Sequence, residues 1–114
     1  MLTIKLELDQ DKISEFIGTT EPQGAVFTAC EGEHCVAYGI FQTEEDTVCL
    51  CRCHYNDPQV LDGIVRAAFH WAVALGAECY DITRADEATM QQLLSMGYHP
   101  KGRLGELKPS CGHK

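Results

Sequence analysis

Basic side chains are scarce in this sequence: nine Lys and Arg stand against seventeen Asp and Glu, a formal charge of −8. A surface of that sign repels phosphate backbones and anionic lipid heads, and no cluster of Lys or Arg interrupts it. Neither nucleic acid nor a membrane is therefore an expected partner, whereas a cationic small molecule or peptide would be drawn in. Long apolar runs are missing too. None approaches the roughly 20 residues that span a bilayer. The N-terminal MLTIKLELDQ alternates polar with apolar where a signal peptide would carry an apolar core. A cytoplasmic protein is expected. No repeat, linker or low-complexity segment breaks the 114 residues, so they read as a single domain, 1–114, around one core.

What the sequence has in number is cysteine. Seven are present, an odd count, and several fall inside strand-like apolar runs where small buried thiols are common. They are expected to be reduced.

The remaining signals are periodic. Leu2, Ile4, Leu6 and Leu8 alternate with Thr3, Lys5 and Glu7, the period of a strand with one buried face. Asp9 to Ile17 places Ile13, Phe16 and Ile17 at helical spacing, with Gly18 after it and a turn over TTEPQG. Ala25–Cys30, Cys35–Gln42 and Thr47–Tyr55 are rich in β-forming residues and are joined by EGEH and TEED, which suit hairpin loops. The period then changes. Leu61, Ile64, Val65, Ala68, Ala72 and Leu75 share one helical face, with Asp57 placed to cap it, Pro58 at its first position and Gly76 beyond its end. Trp71 widens the buried face in a stripe with Val60, Ala67 and Ala74. Cys79–Ile82 is a short strand, and Asp86–Met96 a second amphipathic helix with Met90, Leu93 and Leu94 inward and Gly97 closing it. Tyr98–Leu107 supplies one or two closing strands. The order β, α, β, β, β, α, β, α, β predicts an α/β fold of the α+β kind: a mostly antiparallel mixed sheet with one parallel crossover.

Candidate chemistry gathers near the end of the third predicted hairpin strand. Cys49, Cys51 and Cys53 alternate along it, too far apart on a straight strand for one tetrahedral metal ion, so no metal site is assigned to them. They are expected to face the main helix, which turns Leu50, Arg52 and His54 to the opposite face. His54 is the strongest candidate for a general base, since imidazole is the side chain whose ordinary titration lies nearest neutral pH. Cys30 and Cys35 flank EGEH with His34 beside them, and Cys111 and His113 lie in the tail, leaving a thiol-based metal or redox site open as a further reading.

A hairpin, a strand, a long helix opened by a short loop, a strand, and a helix ending in Gly-aromatic resembles the GNAT N-acetyltransferase superfamily from about Ala25 to Arg103. Ala72 and Gly76 in WAVALGAE look like the family's helix-ending Ala-x-x-x-Gly, and Met96, Gly97 and Tyr98 like its closing Leu-Gly-Phe. The resemblance implies acetyl-CoA or another acyl-CoA as cofactor and a small-molecule or peptide amine as acceptor. It also implies cofactor contacts at Cys51, Cys53, Asn56 and Gln59, and catalysis at His54. The sequence departs from the family in three places. Asn56, Asp57, Pro58, Gln59, Val60 and Leu61 stand where the family carries a glycine-rich pyrophosphate loop. Leu93 occupies the position of the usual Tyr acid, and one short helix replaces the two that normally follow the first strand. Such a trimmed member is either a divergent N-acyltransferase or a non-catalytic binding module, possible as a homodimer through an exposed strand edge.

Overall fold

A computed structural model describes residues 2–17 and 24–106, with the side chains of residues 10, 12, 16 and 17 excepted. Gly18, most of the TTEPQG turn, Leu107, Cys111 and His113 lie outside the described residues, as do the side chains of Phe16 and Ile17. The elements run β1 (Leu2–Leu6), α1 (Gln10–Ile17), β2 (Ala25–Glu31), β3 (His34–Glu44), β4 (Thr47–His54), α2 (Pro58–Ala74), β5 (Cys79–Asp81), α3 (Glu87–Ser95) and β6 (Lys101–Arg103), closed by a 3-10 turn at Leu104–Glu106. The order is the one the periodicity predicts. Among the described residues six strands form one sheet in chain order, antiparallel throughout except where β4 and β5 run parallel across the α2 crossover. Both hairpin loops are tighter than expected. Glu31 already pairs with His34 around Gly32, whose φ of 63° suits glycine, and Glu44 pairs with Thr47.

The two faces of the sheet are covered unequally. On one face α2 lays Leu61, Ile64, Val65, Ala68, Phe69 and Ala72 over Phe27, Ala29, Phe41, Val48 and Leu50. Leu93 of α3 and Tyr98 complete this core. Gly63 lets α2 come this close to β1, since a Cβ there would stand 2.6 Å from Ile4 Cδ1. Trp71 joins the core from its margin, half-buried, with its ring 5.6 Å from that of Phe27 in an edge-on contact. On the other face α1 covers a small second cluster of Ile13, Val26, Tyr38 and Ile40. A buried carboxylate lies nearby: Glu7 accepts bonds from the Thr28 hydroxyl at 3.3 Å and the Asp9 amide at 3.2 Å.

One expected facing is corrected. Opposite β4, Phe41 pairs with Leu50 and Ile40 with Arg52, so Cys51 has no register partner in β3 and forms a β-bulge. An extra residue resets the alternation. Val48 and Leu50 face α2 ahead of the bulge and Cys53 faces it beyond, while Cys49 and Cys51 turn to the α1 side. Leu50 is thus a core residue, not a companion of Arg52 and His54, and only one of the three alternating thiols meets the main helix.

Candidate functional site: the opening between β4 and β5

Parallel pairing between β4 and β5 lasts three residues, Thr47 with Cys79, Val48 with Tyr80 and Cys49 with Asp81. The two strands then part. Among the described residues no strand pairs with Leu50–His54 on the β5 side, so this edge of β4 opens toward the segment Ile82–Asp86 that leads into α3. The bulge at Cys51 lies within the open stretch, and both flanking helices begin at its far end.

The caps of those helices are local devices. Asp57, in extended conformation at φ −114° and ψ 121°, accepts the Gln59 amide on Oδ1 at 2.9 Å, as its position before Pro58 predicts. Its carbonyl takes the Val60 and Leu61 amides at 3.0 and 3.1 Å. Pro58 has no amide hydrogen, so every amide of the first turn is already bonded. Asp86 caps α3 in the same way, accepting the Thr89 hydroxyl at 2.7 Å and the Thr89 amide at 3.2 Å. These bonds hold the Asp86 carboxyl below its ordinary range.

The side chains named from sequence are divided by the strand between two faces. His54 is exposed on the α1 side, its ring stacked 5.8 Å from that of Tyr38, and Arg52 lies over the same ring at 5.9 Å. Cys51 also faces that side and directs its thiol to the Cys49 carbonyl at 3.7 Å. Cys53 points the other way, against Gly39 and Ile64. Burial first, and then the Asp86 carboxylate, push its thiol up to about 12. Asn56 and Gln59 are exposed at the start of α2, and Asn56 and Asp57 line a cavity of about 310 Å³ with Leu2, Glu31, Val36, Ala37 and Val60. Cys51 and Cys53 thus belong to opposite faces of the open end of β4, Asn56 borders the cavity beside Glu31 and Val36, Gln59 is exposed on the first turn of α2, and His54 is exposed at the end of β4.

Two further residues at the opening escaped the sequence reading. Asp81 forms the last rung with Cys49 on the α1 side, where burial raises its pKa but bonds from the Thr83 hydroxyl and amide, with Lys101 and Arg84 near, outweigh it. Its carboxyl ends below the ordinary range. Arg84 reaches back across the sheet to grip both oxygens of Glu44 at 2.9 and 2.8 Å and approaches Gln42 at 3.3 Å. The Asp-Ile-Thr turn was the local signal available for the first; the second joins residues forty apart and had none.

At the other thiol pair, Cys30 and Cys35 are register partners across the hairpin, and the six described cysteines carry no disulfide. Among the described residues no three His, Cys, Asp or Glu side chains come together as metal ligands. No described helix is long and apolar enough to cross a membrane. At the position of the missing Tyr acid, Leu93 is completely buried.

Comparison with known proteins follows the architecture. By sequence, no family model and no curated protein matches the chain. By structure, it is similar to the ribosomal-protein-S18-alanine N-acetyltransferase of Escherichia coli, with a TM-score of 0.60 and 14% identity over 87% of this chain and 78% of that one. It is also similar to a Bacillus subtilis acetyltransferase in complex with CoA, with a TM-score of 0.55 and 14% identity over 87% of this chain and 77% of that one. The likeness extends over most of the described architecture, a mixed sheet with one parallel pair, and the fold of this chain is GNAT-like.

Proposed function

We propose that the chain binds an acyl thioester of the CoA type, acetyl-CoA or another acyl-CoA, in the opening between β4 and β5 and transfers its acyl group to an amine. The observation that carries this reading is the parting of β4 from β5 after Cys49 and Asp81, with the bulge at Cys51 inside the opening. An open strand edge offers an extended amide chain the pairing that a neighbouring strand would make, so the pantetheine arm lies along the main chain of Cys51 and Cys53. The acceptor amine approaches from the α1 side, where Asp81 and a net charge of −8 favour a cation. Its nitrogen attacks the thioester carbonyl, the new C–N bond replaces the C–S bond, and the products are an amide and a free thiol. His54 takes the proton lost by nitrogen. The departing thiolate is protonated from solvent, because Leu93 has no proton to give and the Tyr98 hydroxyl is already committed to Asp62 at 2.8 Å.

The nucleotide end is held differently from the usual arrangement. With the first-turn amides of α2 bonded to Asp57, a pyrophosphate finds no unpaired N–H there and meets a like charge. Asn56 and Gln59, exposed beside it, supply weaker side-chain contacts. The donor is thus held mainly by its pantetheine arm. Calorimetric titration with acetyl-CoA and with S-acetylpantetheine tests this directly: dissociation constants within about threefold of one another are expected, where a gripped pyrophosphate would separate them by tenfold or more.

The engaged cap favours a second reading, a GNAT-like module that binds without catalysing and pairs with a second copy through the open edge of β1. Silence toward both thioesters, together with a dimer in analytical ultracentrifugation, would select it.

A further inference from the structure

Away from this opening, at the opposite end of α3, a cavity of about 300 Å³ lies between α2 and β6, lined by Arg66, Tyr80, Tyr98, His99, Arg103 and Glu106 together with Met96 and Gly97. Two of the nine Lys and Arg of a chain of net charge −8 line it from different elements, together with the imidazole of His99 and the carboxylate of Glu106, while Asp62, not itself in the lining, pairs with Arg66. Arg66 is fixed in place: its Nε donates to Asp62 at 2.9 Å, and its guanidinium lies 5.9 Å over the Tyr98 ring. Asp62 in turn accepts the Tyr98 hydroxyl at 2.8 Å, so one carboxylate orients both the guanidinium and the phenol of the wall. The floor is equally set. Tyr80 accepts the His99 amide at 3.0 Å, and Gly102 leaves it room, since a Cβ there would stand 2.6 Å from the Tyr80 hydroxyl. Arg103 has no ion pair with any described residue.

We propose that this cavity is a binding site for a small oxyanion, a phosphate or carboxylate group held between the guanidiniums of Arg66 and Arg103. Planar guanidinium forks match both groups, and a pre-oriented fork loses little freedom on binding. The volume admits a small metabolite but not a nucleotide cofactor. The site is independent of the thioester opening and stands whether or not that reading holds.

The test is titration of the full chain with inorganic phosphate and with succinate, followed by amide chemical shifts and repeated with sodium chloride at equal ionic strength. Saturable shifts centred on Gly97, Tyr98, His99 and Gly102 are expected with at least one of the two anions, and whichever binds more tightly identifies the group. Arg103→Gln should weaken that binding about tenfold, the worth of one lost charge-assisted pair. Arg66→Lys, which keeps the charge but lacks the fork, should weaken it less, with the melting temperature checking that each variant is folded. Equal binding by Arg103→Gln, shifts centred elsewhere, reproduction of the shifts by chloride, or no saturable response would each overturn the proposal.

Discussion

The two faces of the sheet solve different problems. Beneath α2 and α3 lies a continuous core in which Phe41, Val48, Leu50, Leu61, Ile64, Val65, Ala68, Ile82 and Leu93 are all sealed from water. Beneath α1 the described cluster comprises Ile13, Val26, Tyr38 and Ile40, a carboxylate and a threonine hydroxyl are buried beside it, and Arg52 and His54 are left in solvent. Stability therefore resides on the first face, and the second is free to carry reactive and charged groups at the opening. Breaking each face in turn should separate the two roles. Phe41→Ala, at a fully buried position packed edge-on against Phe27 and Phe69, is expected to cost about 3 to 5 kcal/mol in urea unfolding. Ile13→Ala on the α1 side should cost about 2 kcal/mol, because its smaller cluster can collapse more readily around the lost volume. Equal losses at the two positions would remove the distinction.

Trp71 sharpens the boundary of the α2 face. It is half-buried with its neighbours Val73 and Ala74 exposed, so truncation removes part of a core contact and leaves solvent to fill the rest. Trp71→Ala is expected to cost about 2 kcal/mol, below the range of a sealed aromatic. A loss above about 4 kcal/mol would mean that something covers this edge of α2 in solution, the first sign of a docked second copy.

How much of this could be read from sequence depends on the range of the forces involved. Strand and helix order, the Asp57–Pro58 start and the inward face of α2 from Leu61 to Ala72 were legible because alternation, helical period and capping act within a few residues, whereas Ala74 and Leu75, expected inward, are exposed where the helix ends. The facing of Cys49 and Cys51 was not. Period two carries across a strand only while the pairing is regular, and the bulge at Cys51 is a property of the β3–β4 ladder. The site divides along the same line. Cys51 and Cys53 could be placed on β4 and Asn56 and Gln59 at the start of α2 from local pattern alone, whereas Arg84 joins the opening through Glu44, a contact that exists only once β5 has crossed over beside β4.

Asp57 links stability to the opening and is the next smaller effect. Asp57→Ala frees the Gln59 amide and removes a negative charge from the start of α2. A loss of about 1 kcal/mol in unfolding is expected from the cap. Acetyl-CoA should bind more tightly to the variant while S-acetylpantetheine is unchanged, since only the former carries the pyrophosphate. Parallel changes for the two ligands would place the effect in the fold of the opening and not in the anion.

The smallest expected effect is a pH dependence at the companion cap of α3. Bonds from the Thr89 hydroxyl and amide stabilise the ionised form of Asp86 and set its folded pKa below the ordinary 3.8. A carboxyl whose pKa is depressed by folding binds its proton more weakly in the native state than in the unfolded one, so its contribution is fully present above the unfolded value. That contribution fades as pH falls below about 3.8 and through the folded pKa. Asp86→Asn keeps an N-cap acceptor but has no such proton to gain. Unfolding curves collected between pH 6 and pH 2.5 should therefore show the variant slightly less stable at pH 6, with the gap narrowing toward the acid end. Because Cys53 sits beside Asp86 and its thiol is pushed up to about 12 by burial and by that carboxylate, the same substitution should also make Cys53 easier to ionise. Its alkylation at pH 9 in the folded protein is then faster in Asp86→Asn than in the wild type. A gap that stays constant with pH, or alkylation at an unchanged rate, would mean that Asp86 acts on the opening only through the helix it caps and not through its charge.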